Sequence, residues 1–109
     1  MELTFNVVVE EREGVHVATC LEMGLVATAD KPDDLPAIMD KLIVRQVTFA
    51  IQNENFQDIF HPAEPEVWQR VSDAYKQEKM QAIKNSHERL SVQNRAPVDL
   101  KQTAYALAS

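Results

Sequence analysis

One cysteine, two glycines and 6% aromatic residues are what this chain of 109 residues has little of. A lone cysteine, Cys20, excludes an internal disulfide, and a reduced, cytoplasmic setting is the expectation that follows. Gly14 and Gly24 are too few for a glycine-rich loop that cradles a phosphate. No apolar run approaches the roughly 18 residues of a membrane span, and the opening Met1-Glu2-Leu3-Thr4 does not read as a signal peptide. Basic residues are scarce as well: 11 Lys+Arg stand against 17 Asp+Glu, a formal net charge of −6. That balance argues against a phosphate-binding surface spread over the whole chain.

What is present is globular in composition, with 45% apolar and 26% charged residues, and the length suits one modest core. The charge divides unevenly. Residues 1–64 hold 12 acids and 4 bases, a net of −8, and residues 65–109 hold 5 acids and 7 bases, a net of +2. An acidic body followed by a mildly basic tail suits a basic protein partner through complementary potential. The acids that would meet such a partner are Glu10, Glu11, Glu13, Asp33 and Asp34.

Residues 3–10 alternate with period two, Leu3, Phe5, Val7 and Val9 on one face, which predicts a half-buried strand. The polar stretch Glu11-Arg12-Glu13-Gly14 reads as a hairpin turn, residues 15–20 as the return strand, and residues 25–29 as a third strand. Pro32 and Pro36, with Asp33 and Asp34 beside them, mark a helix start; the two prolines leave the exact cap open, and a cap at Asp34 would place Pro36 in the first turn without losing a hydrogen bond. That helix is expected to run to about Gln52. Its apolar positions, Ile43, Val47 and Ile51 among them, exceed one face, so a homo-oligomer interface is expected there, joined by Trp68. Phe56 to Phe60 reads as a short fourth strand. After the connector His61-Pro62-Ala63-Glu64-Pro65, residues 66–90 read as a second helix with Glu66 and Arg70 in favourable order. A last helical segment is expected from Asp99 to Ala108, beyond a linker over residues 91–97.

The chemistry-bearing residues do not converge. Cys20, His16, His61 and His87 are isolated in sequence, and His16 and Cys20 would lie about 13 Å apart along a strand, too far to share a metal. Cys20 reads as a buried strand residue rather than a nucleophile. The adjacent carboxylates, Glu10-Glu11 and Asp33-Asp34, are accounted for by a turn and a helix start. No enzyme activity, metal or cofactor is therefore expected. Nucleic-acid contact has one candidate surface, the cations of the second helix: Lys76, Lys79, Lys84 and Arg89.

The first half resembles the HicB-like antitoxin family. Val7-Val8-Val9-Glu10 corresponds to the opening strand, Gly14 to the hairpin glycine and Val17-Ala18-Thr19-Cys20 to the second strand. Gly24-Leu25 corresponds to the loop, and Ala29-Asp30-Lys31-Pro32-Asp33-Asp34-Leu35 to the helix entry. The similarity spans about residues 3–52. It implies a partial ribonuclease-H-like fold without catalytic carboxylates, and a non-catalytic role in neutralising a small basic toxin within a toxin–antitoxin system. The expected architecture is thus α+β: an antiparallel three- to four-stranded sheet covered by one helix over residues 1–64, and a helical C-terminal extension over 65–109. The alternative roles are a stand-alone homo-oligomer without a toxin, or nucleic-acid binding through the extension.

Overall fold

The fold is taken from a computed structural model that describes residues 1–91 and 95–108, the side chain of residue 58 excepted. Five strands and two α-helices follow in the order β1 (Glu2–Arg12), β2 (Val15–Cys20), β3 (Val26–Ala29), α1 (Leu35–Gln52), α2 (Pro65–Lys76), β4 (Met80–Leu90) and β5 (Val98–Leu107). The strands form one mixed sheet in the order β3-β2-β1-β5-β4. The architecture is α+β. The antiparallel meander β1-β2-β3 and the helix over 35–52 lie where the sequence pattern puts them.

The β1–β2 hairpin closes through Glu13 and Gly14, both with positive φ (53° and 80°), with Arg12 paired to Val15. Two left-handed residues match the twist of the flanking strands, and glycine takes that conformation without steric cost. Gly24 is held harder, because a Cβ there would stand 2.6 Å from the backbone oxygen of His61. A single 3₁₀ turn, Pro32–Asp34, leads into α1, and Asp34 makes no side-chain capping bond.

The main core lies between the sheet and α1. It joins Phe5, Val7 and Val9 to Ala18 and Cys20, and to Leu35, Met39, Ile43, Val47 and Ile51 of the helix. Ile43, Val47 and Ile51, expected at an oligomer interface, are only 3%, 0% and 2% exposed. Their spacing turns them onto the sheet, so they have no surface to offer a partner. Phe49 and Ile38 face outward instead, and Trp68 is 40% exposed. A smaller cluster of Val8, Leu21 and Ala63 on the other face receives Val67 and Val71 of α2 with Tyr105 and Leu107 of β5.

Beyond residue 52 the architecture departs from the expected one. Phe56–Ile59 is a 3₁₀ turn rather than a strand. Three residues per turn put Phe56 and Ile59 on one side, where both join the main core. The second helix stops at Lys76, and Glu78 takes a positive φ of 56°. Residues 80–90 are strand β4, not helix, because ten registered pairs with β5 outweigh their local helix preference. The segment expected as a terminal helix is β5, which runs parallel to β1 on one side and antiparallel to β4 on the other. Val98, Leu100 and Ala104 thereby enter the main core. The single sheet crosses residue 64, since β5 pairs with β1 from Glu2 to Val9. The linker expected over 91–97 includes Val92, Gln93 and Asn94, which lie outside the described residues.

Candidate partner-binding groove

The hairpin end of the sheet and the second half of α2 enclose a groove of about 790 Å³. Its walls are Glu10, Glu11, Arg12 and His16 of the hairpin, Arg70, Asp73 and Ala74 of α2, and Gln77 just after it. Lys79, the end of β5 and Pro32 complete the lining. Helix α2 is held over the sheet by its apolar side, Val67, Val71 and buried Ala74, and by the connector, where the Ala63 N–H donates to the Leu21 carbonyl at 2.9 Å. At the far end the Ala108 N–H donates to the Lys79 carbonyl at 2.8 Å, tying β5 to the turn after α2.

An ion pair joins the two walls. The Arg70 guanidinium donates through Nε to Glu10 Oε2 at 3.1 Å and through Nη2 to Glu10 Oε1 at 2.8 Å. The two-pronged geometry fits a planar guanidinium to a carboxylate. Hydrogen bonding to Glu10 raises the Arg70 pKa. The helical partner anticipated for Arg70, Glu66, is not bonded to it. Residue 70 turns toward the sheet, and its carboxylate comes from a residue 60 positions away.

The five predicted partner-binding acids gather toward this end. Glu10 is paired and Glu11 lines the groove. Glu13 sits on the hairpin turn, and Asp33 and Asp34 follow groove residue Pro32. Among the described residues, Glu11, Glu13, Asp33 and Asp34 form no ion pair.

The four cations assigned to a helical nucleic-acid surface are separated. Lys76 ends α2, Lys79 is in the following turn, and Lys84 and Arg89 are on β4. An odd spacing along a strand puts Lys84 and Arg89 on opposite faces, and Arg89 meets Asp99 at 3.5 Å.

Two polar arrangements escape a linear reading. Asn6 donates its backbone N–H to Glu22 Oε1 at 2.7 Å and its side-chain amide to Oε2 at 2.9 Å. Beneath α1, the buried amide Nε2 of Gln102 donates to Asp40 Oδ1 at 2.9 Å and to the Ser86 hydroxyl at 3.1 Å. Ser86 in turn donates to Asp40 at 2.9 Å. Burial raises the Asp40 pKa, opposed by the Ser86 bond and by Lys84, with Glu88 adding to the rise. Gln102 Oε1 has no hydrogen-bond partner among the described residues. A polar residue at a core position of an otherwise apolar face is the one signal by which sequence could have pointed to this network.

Cys20 is fully buried and free, and burial pushes its thiol up to about 12. His87 of β4 lies 3.2 Å from Asp99 of β5, and His16 lines the groove. Among the described residues, no group of three or more His, Cys, Asp or Glu is arranged to hold a metal ion, and no helix is long and apolar enough to cross a membrane. Comparison with known proteins returned no match: no family model fits the chain, and no curated protein and no solved structure is similar to it.

Proposed function

We propose that the protein is a non-catalytic binding module, of the HicB-like antitoxin kind, that receives a segment of a small basic protein at the hairpin end of its sheet. The observation that carries this reading is the groove of about 790 Å³ with Glu11 on its wall, bordered by the turn acid Glu13 and, beyond Pro32, by Asp33 and Asp34. A groove of this size admits several side chains of an extended segment. Acids free of internal ion pairs steer and orient a basic partner more than they add affinity. The Glu10–Arg70 pair would then act as a strut that holds the groove open at a set width.

The test is co-expression with the product of a short basic reading frame neighbouring the gene, followed by purification through a tag on this chain. The expected result is co-purification that weakens with salt and is lost with Glu11→Lys and Glu13→Lys together. The same reversal at Glu2, at the opposite end of β1, leaves it intact. Equal retention by both variants, or no such neighbour, counts against the proposal. Nucleic-acid contact through Lys76, Lys79, Lys84 and Arg89 is the less favoured reading, since two of these cations diverge across β4.

A further inference from the structure

The sheet has two unequal edges. Strand β3 is four residues long, whereas β4 is eleven and is paired on one side only. Along β4, alternate residues direct their N–H and C=O groups away from β5, a template for another strand. A bulge at Ile83 divides it. Beyond the bulge, Lys84, Ser86, Glu88 and Leu90 share the face toward α1, as the Ser86–Asp40 bond and the burial of Leu90 against the core require. Asn85, His87 and Arg89 take the opposite face.

Opposite residues in an antiparallel ladder lie on the same face. A two-fold axis normal to the sheet must therefore pass where a residue faces its own copy. Centred on Asn85, such pairing sets Lys84 against Ser86 and leaves Glu88 facing the bulged stretch. Centred on His87, it sets Lys84 against Leu90 and Asn85 against Arg89. Centred on Ser86, it sets Lys84 against Glu88 twice, by symmetry, and Asn85 against His87. Only this last of the three registers places opposite charges in register. Among the described residues, neither Lys84 nor Glu88 has an ion pair within the chain. Glu88 also borders a groove of about 300 Å³ whose other lining residues are Asp40, Lys41, Val44 and Arg45, and the second copy's Lys84 would meet Glu88 at the rim of this mixed-charge groove.

We propose that the β4 edge is a homodimer interface in which two copies of this chain pair antiparallel through Lys84–Glu88 about a two-fold axis at Ser86. The occupant is a second copy, because the edge is complementary in charge to itself. The interface lies away from the hairpin groove and does not depend on the function proposed for that groove.

The test is mass by light scattering and dissociation by sedimentation for the full chain and three variants, Lys84→Glu, Glu88→Lys and the double exchange. Circular dichroism checks that each is folded. The wild type is expected at about twice its 12.4 kDa chain mass. Like charges directly opposed at two symmetric positions are expected to weaken dimerisation about tenfold or more in each single variant. The double exchange restores opposite charges across the axis and is expected to recover the affinity to within about threefold. A wild-type chain that stays at 12.4 kDa up to about 0.1 mM overturns the proposal, whether its edge remains open or is taken by another protein's strand. A dimer that neither reversal weakens overturns it too.

Discussion

Leu100 distinguishes a C-terminal segment that is part of the sheet from one that merely decorates it. It is 4% exposed in the main core, opposite Leu3 of β1 on one side and Glu88 of β4 on the other. Truncation to alanine removes three carbon atoms from a site framed by strands on both sides. The sheet cannot collapse into the space without breaking a ladder. Transfer and cavity terms together put the cost at about 3 kcal/mol, within the range for buried leucines. On an exposed helical extension the same change would cost less than about 0.5 kcal/mol. Urea unfolding followed by Trp68 fluorescence and by far-ultraviolet circular dichroism measures the difference. With a slope on the order of 1.5 kcal/mol per molar, the midpoint should fall by about 2 M. Tyr75→Ala, at a side chain 72% exposed on α2, is the control and should leave the midpoint nearly unchanged. A Leu100→Ala midpoint within the scatter of that control would refute the central placement of β5.

Four further outcomes are expected. Arg70→Met leaves Glu10, whose side chain is 10% exposed, without its guanidinium. After allowance for solvent screening at Arg70, the loss should be about 1 kcal/mol and should shrink in high salt; a loss that salt does not change would point to packing alone. Asp40 has a raised pKa in the fold, so its ionisation is harder there than in the unfolded chain. The stability this contributes is present below the ordinary value of 3.8 and is lost as pH rises through the folded value. Asp40→Asn keeps the acceptor for Ser86 and should flatten that decline; matching pH profiles for the two proteins would contradict the assignment. Cys20, with its thiol pushed up from 9.0 to about 12, should resist an aromatic disulfide reagent at pH 8 and react on unfolding. Stability should also fall above pH 9 as the unfolded thiol ionises first, whereas labelling of the native protein at the rate of a free thiol would be inconsistent with its burial. Gly24→Ala meets both a positive φ of 69° and the His61 carbonyl, and a loss of roughly 2 kcal/mol or more in thermal unfolding is expected; an unchanged melting temperature would mean the loop gives way freely.

Residues 3–52 were legible because each element there carries its own local signal. The alternation of Leu3, Phe5, Val7 and Val9, the turn glycine and the prolines at a helix entrance all act over a few residues. The C-terminal half carried weaker signals. Val98, Leu100 and Ala104 do alternate with Asp99, Lys101 and Thr103, but Gln102 interrupts the apolar row, and Leu100, Ala104 and Leu107 mimic a helical stripe. Residues 80–90 are rich in good helix formers, and the residue after α2 that turns left-handed is Glu78, where neither glycine nor asparagine marks a stop. In the groove, Glu10, Glu11, Glu13, Asp33 and Asp34 could be singled out as acids of one half. Arg70 could not be matched to Glu10, because nothing local links residues 60 positions apart.

The sequence by itself determined the meander, the helix over 35–52, the burial of Cys20 and the split between an acidic body and a basic tail. Hydrophobic period, turn chemistry and charge are properties of short stretches and survive without a fold. Only the tertiary structure decided that the tail supplies a central strand and an edge strand. That choice depends on backbone hydrogen bonds and buried area offered by β1, a partner about a hundred residues away in sequence. The same long-range pairing turned a row of cations into two faces of a strand and left β4 as the open edge of the sheet.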